Sequence, residues 1–224
     1  LYKMKLFKKS EIESDIREIP HGILSILLEA ATSINIKKIA IVGGLVRDLI
    51  AKSLHKDYII AFNDLDIVIE GSVIKFVREL QRILGEERVN IIRNNHIYKT
   101  SEILIDGIKV DIASARKETY PIPAENPIVK ASTIKNDLIR RDFNINAMAI
   151  ELKENKLIDL FSGSDAISHN SIDFLHELSV LDDPTRIIRA SRYSAKLNFN
   201  LSHKALMQIK NTINSWPWEW KIGD

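Results

Sequence analysis

The feature that most constrains this fold is a strand, a glycine pair and a helix in immediate succession: "KKIAIVGG" followed by "LVRDLIAKSL", residues 37–54. The apolar run reads as a short buried strand, and the glycines end it where the chain must turn into a helix. A second strand, "DIVIE" (66–70), passes through Gly71 into a second helix, "SVIKFVRELQRIL" (72–84). Upstream, residues 22–34 carry apolar side chains at helical spacing. Downstream, two strands at about 96–105 and 107–113 form a meander, with Asp106-Gly107 as the hairpin turn signal. This succession predicts an α/β fold, a mixed β-sheet flanked by helices, rather than a strictly alternating one.

From Ser114 the pattern breaks into "SARKETYPIPAENPIVKAST", with three prolines and no period. It predicts a long mobile loop, and loops of that length inside a compact domain are usually functional. Order returns with a helix and a short strand pair turning at Glu154-Asn155. Beyond Gly163 everything reads as helical: 173–181, then 183–197 with proline at its first turn, then 202–213. The chain therefore divides into an α/β unit over 1–150, and the end of that unit plus a helical one over 151–224. It opens on leucine and closes on "SWPWEWKIGD", whose three tryptophans have no following element to pack against. That ending predicts a fragment whose C-terminal part is missing.

With 224 residues, 45% hydrophobic and 28% charged, the chain can bury a real core and has the balance of a soluble globular protein. No apolar run approaches bilayer length and the first residues lack a signal-peptide layout, so the expectation is a cytoplasmic protein without membrane contact. The absence of cysteine removes disulfides, thiolate zinc sites and cysteine nucleophiles together. Its six histidines form no helical i, i+4 pair, so a metal here would be oxygen-bound and hard, such as magnesium. A net charge of +2 announces no nucleic-acid partner by itself. Its distribution says more: "RIIRASRYSAK" (186–196) packs three arginines and a lysine into one helical stretch, either an anion surface or a solvated face.

Two acids, Asp64 and Asp66, stand in "NDLDIVIEG" (63–71). Strand alternation puts i and i+2 on one face, where the carboxylates repel unless a cation lies between them; the alternative is a solvated turn entering a strand. Just before them in the chain, Gly43 and Gly44 let backbone N–H groups approach an anion at a helix N-terminus, with Arg47 one turn in. A tight strand-to-helix turn would need the same glycines. The segment is neither a dinucleotide fingerprint nor a Walker loop. Asp111, in "IKVDIAS", alternates onto one face with Lys109 and Ala113 at the end of a strand expected nearby, as a third carboxylate or a solvated strand-end acid. Glycine cradle and acid pair together suit metal-assisted phosphoryl or nucleotidyl transfer.

Six segments, "IAIVGGLVRD", "DLDIVIEG", "VDIASARKETYP", "LIRRDFNINAMAI", "IDLFSGSDAI" and "LDDPTRIIRASRYSAKLNF", resemble in order and spacing those of class II tRNA nucleotidyltransferases, the CCA-adding enzymes, and of bacterial poly(A) polymerases. The resemblance runs from about 38 to 200. It implies a catalytic nucleotidyltransferase head followed by an all-helical neck. It further implies that Gly43, Gly44 and Arg47 contact a nucleoside triphosphate and that Asp64 and Asp66 bind two magnesium ions. Arg141, Asp142 and Asn146 would meet the sugar or phosphates, Asp183 and Arg186 would read the base of ATP or CTP, and Arg189 and Arg192 would line the triphosphate. Asp182 stands where this family usually has glutamate, one methylene longer, so the bond that orients the base-reading arginine is expected to differ. Arg116, Glu118 and Tyr120 resemble a flexible loop that favours addition of the terminal A, or of complete CCA, over addition of CC. The partner implied is the tRNA 3′ end. A poly(A) polymerase and, in another class, a non-catalytic nucleotide- or RNA-binding module are the rival readings.

Overall fold

A computed structural model describes residues 7–16, 19–55 and 57–215. The opening residues and the tryptophan-rich end lie outside the described residues. Helices α1 (Lys9–Asp15) and α2 (Ile23–Ser33) precede strand β1 (Ile39–Val42), helix α3 (Gly44–Leu54), strand β2 (Leu65–Ile69) and helix α4 (Val73–Leu84). Strands β3 (Val89–Asn95), β4 (Thr100–Ile105) and β5 (Ile108–Ser114) form a meander, and β6 (Arg116–Thr119) and β7 (Ile128–Ala131) a separate ribbon. Then come α5 (Ile134–Ile139), β8 (Met148–Glu151), β9 (Lys156–Asp159), α6 (Gly163–Ser168), β10 (Ser171–Ile172), α7 (Ser179–Asp182), α8 (Thr185–Leu197), β11 (Asn200–Leu201) and α9 (His203–Ser215).

Seven strands form one sheet in the order β3-β4-β5-β2-β1-β8-β9. The β2–β5 pair is parallel and the other pairs are antiparallel, giving the mixed sheet expected. Alternation gives the sheet two unlike faces. Leu65, Ile67 and Ile69 of β2, with Val110 and Ile112 of β5, join Leu24 and Leu27 of α2 and Phe76, Val77 and Leu80 of α4 in the main core. On α4 the buried Val73, Phe76, Val77, Leu80 and Leu84 recur at helical spacing, Ser72 caps the N-terminus and Gly85 (φ +95°) ends the helix. Each such large side chain, fully buried, contributes about 1.5–3 kcal/mol. The opposite face is covered only in part, by Ile134 and Leu138 of α5 against Ala40, Val42, Val68 and Ala149. Asp66, between Leu65 and Ile67, projects from that half-open face.

Three sequence expectations need correction. The meander has three strands, not two: β3 occupies 89–95, and residues 96–99 turn instead of extending. Only Val89 of β3 is buried, so this edge strand carries no alternating signal. The supposed mobile loop is an antiparallel ribbon in register from Arg116↔Ala131 to Thr119↔Ile128. Its prolines, Pro121, Pro123 and Pro127, all fall in the connection and leave the paired strands intact. Past Gly163 the chain is not helical throughout. Residues 173–178 are drawn into pairing with the head, through Asn144 N to Asp173 O at 3.1 Å and stacking of Phe174 on Phe143 with centroids 5.3 Å apart. Ser171–Ile172 and Asn200–Leu201 make a two-residue parallel pair.

Candidate active site

In-register parallel pairing of β2 with β5 sets Asp66 directly opposite Asp111. Asp64 immediately precedes β2, and the carboxylates of Asp64, Asp66 and Asp111 bring an oxygen each to within 4.8 Å of one another. Burial, then the neighbouring charge of Asp64, push the Asp66 carboxyl up to about 6, against a weaker pull down from Arg141. Burial raises Asp111 as well, opposed by Lys109, whose Nζ lies 3.3 Å away. Three oxygen donors sharing too little positive charge are the donor set of a hard divalent cation.

Gly43 caps α3 with φ +73° and no side-chain hydrogen bond, which leaves first-turn N–H groups of the helix open. A Cβ here would fall 2.7 Å from Asp66 Oδ2, so the glycine turn is packed directly on the acid. Arg47, expected to reach out to a phosphate, is 4% exposed. It donates to Asp48 at 2.8 Å and Asn146 at 3.0 Å and stacks over Tyr193, so it braces the glycine turn from behind.

The RRD segment follows α5. Asp137, fully buried, accepts from Arg140 Nε at 2.9 Å, Arg141 Nη2 at 3.2 Å and the backbone of Arg116 at 3.2 Å. Arg141 is thereby aimed past Gly43 toward Asp66. Asp142 accepts from Phe143 N and from Asn146, and its other oxygen takes Arg189 of α8 through two nitrogens, at 2.8 and 2.6 Å. The ribbon is tied in at Glu118, which accepts from Arg116 (2.9 Å), Arg140 (3.0 Å) and Tyr120 (2.9 Å).

Arg186 is buried at the start of α8, donating to Ser179 Oγ and, at 3.0 Å, to the Arg140 carbonyl, with Asp183 Oδ2 at 3.8 Å. Asp182 faces His176 at 3.9 Å instead. The short acid is thus replaced as the partner of Arg186 by a serine hydroxyl and a carbonyl. Arg192 is exposed and lies over the Tyr193 ring.

Three clefts converge on Asp66. One of about 300 Å³ collects Gly43, Glu118, Tyr120, Arg141, Asp142, Asn146, Asp183, Arg186 and Arg189. A second, about 470 Å³, runs over Gly44, Arg47 and Asp64 to Arg192 and Lys196. A third, about 320 Å³, lies along Asp111, Glu102 and Arg93. A larger cavity, about 650 Å³, sits at the opposite ends of β2 and β5 around Gly71 and Ser114, away from every one of these charged groups' common centre. Its charged lining residues, Lys37, Glu70, His96 and Lys99, stand apart from the acid cluster and the arginines, so size is a poor guide here. Of the sequence candidates, Arg116 alone among the loop residues lines none of the three clefts, acting through Glu118. Asp137, Arg140, Ser179 and Tyr193 were missed. Asp137 had a signal, an acid three and four residues ahead of two arginines; Ser179 had none.

Residues 39–173 match the family described as the poly(A) polymerase head domain. The chain belongs to that family. Over 177 residues, 78% of its length, the chain is 40% identical to the A-adding tRNA nucleotidyltransferase of Aquifex aeolicus, of which it covers 20%. Among solved structures it resembles a CCA-adding enzyme in an apo form (TM-score 0.78, 33% identity, 94% of this chain and 48% of that one). It also resembles a tRNA nucleotidyltransferase complexed with a primer tRNA and an incoming ATP analog (TM-score 0.68, 36% identity, 84% and 50%). The chain spans about a fifth to a half of the proteins it matches.

Proposed function

We propose that this chain is the catalytic part of a tRNA nucleotidyltransferase, adding CCA or its terminal A to tRNA 3′ ends from CTP and ATP. Residues 1–150 would be the head, and 151–224 its end and the helical neck. The observation that carries the reading is the convergence on Asp66 of an acid cluster, a glycine-lined helix N-terminus and an arginine-rich cleft. The names of its relatives supply the substrate class, and a tRNA substrate is in keeping with a cytoplasmic protein. No helix of the described residues is long and apolar enough to cross a membrane.

Asp64 and Asp66, with Asp111 beside them, would hold the magnesium ions. The chemistry such ions would supply there is neutralisation of developing charge on phosphoryl oxygens and a lowered cost of deprotonating the 3′-hydroxyl. The protein's own groups do the rest. Open N–H groups of α3, with Arg192 and Lys196, receive the pyrophosphate. Arg141 and Arg189 face the cleft that would take the ribose and α-phosphate, oriented by Asp137 and Asp142 respectively. Asn146 links Asp142 to Arg47 within the same wall. Asp183 and Arg186 stand where the base would be read, and Ser179 holds the arginine in place. Glu118 and Tyr120 close the cleft from the ribbon.

The test offers labelled CTP and ATP, with magnesium, to tRNA transcripts ending at the discriminator base, at CC and at CCA. Extension of only the CC-ended RNA by one adenosine identifies A addition, and conversion of both shorter RNAs to CCA identifies complete addition. Asp64→Ala is expected to abolish turnover with an unchanged fold; activity retained at millimolar magnesium removes the metal assignment. Long adenosine tails on any RNA would point to the poly(A) polymerase instead.

A further inference from the structure

Two of the clefts at Asp66 share Gly44, Asp66 and Tyr193 as a common wall, and six arginines line them: Arg140, Arg141, Arg186 and Arg189 in one, Arg47 and Arg192 in the other. Five of the six have a carboxylate oxygen within 3.8 Å. Arg192 is the exception. Among the described residues it has neither a carboxylate nor a hydrogen-bond acceptor, and its guanidinium lies over the Tyr193 ring, 5.2 Å from the centroid. Neighbours i and i+1 on a helix point about 100° apart, so this contact is not imposed by α8; the arginine folds back across the ring. The ring itself is fixed, edge-on against buried Phe143 with centroids 5.7 Å apart and planes at 76°, and Arg47 lies over it at 5.6 Å.

We propose that Tyr193 is a positioning residue for the polyphosphate of the incoming nucleotide: its ring holds Arg192, the one arginine of the six with its whole charge and all its donors, ready for the β- and γ-phosphates. The assignment rests on the nucleotidyl-transfer reading above. A free arginine on a helix surface samples many rotamers, and fixing it on a ligand costs that freedom. An ion pair would fix it beforehand, but would neutralise its charge and occupy part of its donor fork. A ring face fixes it differently. The aromatic quadrupole attracts the cation, leaves its charge unanswered and uses none of its five N–H groups, so the fork stays open for phosphate oxygens.

The test replaces Tyr193 by phenylalanine, then by phenylalanines carrying one, two and three ring fluorines, which weaken the quadrupole stepwise at nearly constant shape. With magnesium present, dissociation constants for ATP, CTP and pyrophosphate are expected to rise together along the series, by about fivefold in all, while that for AMP and the Tm stay constant. In an Arg192→Ala background the same series is expected to be flat. A merely structural ring, valued for its packing on Phe143, would show no dependence on fluorination. A flat series in the presence of Arg192, an equal rise for AMP, or a trend that persists without Arg192 overturns the proposal. Binding needs no RNA, which separates the two readings: constants that follow the series in a chain that extends no tRNA support the contact and remove the transfer reading, whereas a wild-type chain that binds no nucleotide overturns both.

Discussion

Asp66 is a residue whose ionisation works against the fold that positions it. A carboxyl moved from 3.8 to about 6 costs on the order of 3 kcal/mol when ionised at neutral pH. The sign follows from proton counts. Between these two values the folded chain holds a proton that the unfolded chain has released, so stability falls as pH rises through that window. A bound divalent ion favours the ionised form and adds stability at the upper end. Urea unfolding with chelator is therefore expected to show wild type losing stability from pH 4 to 7. Asp66→Asn is expected to lack that component, be more stable at neutral pH and gain nothing from magnesium. An identical pH slope in the two proteins would remove Asp66 as its source. The acid pair was legible because like charges two apart in an apolar strand demand an explanation from local sequence alone. Arg47 was not: whether an arginine one turn into a helix faces out or in depends on Asn146 and Tyr193, which arrive from elsewhere in the chain.

At the scale of elements, the ribbon β6–β7 shows how composition can mislead. Three prolines in 20 residues read as a loop, yet they sit in the connection, and the strands on either side pair. What fixes the ribbon is side-chain chemistry at its base, where Glu118 takes two arginines and a tyrosine. Burial and the adjacent Glu118 charge together hold the Tyr120 hydroxyl at about 12. Glu118→Gln removes the charge and leaves the burial. Absorbance titration of the phenolate is expected to bring Tyr120 below 12 while keeping it above 10, and limited proteolysis is expected to cut the 120–127 connection faster. A Tyr120 titration unchanged by the substitution would mean that burial alone sets it. Because Arg140 loses one of its two carboxylates in this variant, nucleotide KM is expected to rise with the protease sensitivity.

Strand order is the level that sequence conceals most. Adjacent hairpin strands β4 and β5 were readable from Asp106-Gly107, but the parallel contact of β2 with β5, separated by a helix and two strands, is what sets Asp66 against Asp111, and no local pattern announces it. A similar long-range closure makes the nucleotide cleft. Helix α8 reaches the segment that follows α5 through Arg189 on Asp142 and Arg186 on the Arg140 carbonyl, so the cleft walls come from two parts of the chain joined by few polar contacts. A ligand that bridges those walls binds the closed arrangement and not the unfolded chain. It should therefore stabilise the whole molecule by about 2.7 kcal/mol at a hundred times its dissociation constant. Thermal unfolding with magnesium and a non-hydrolysable ATP analog is expected to rise in Tm as a single transition. Arg189→Ala, which leaves Asp142 without its cation, is expected to lose most of that rise at equal ligand concentration. Should α8 instead be held independently of the ligand, the variant would unfold at a lower temperature yet show the full ligand-induced increment, and the cleft would have to be regarded as preformed by the head alone.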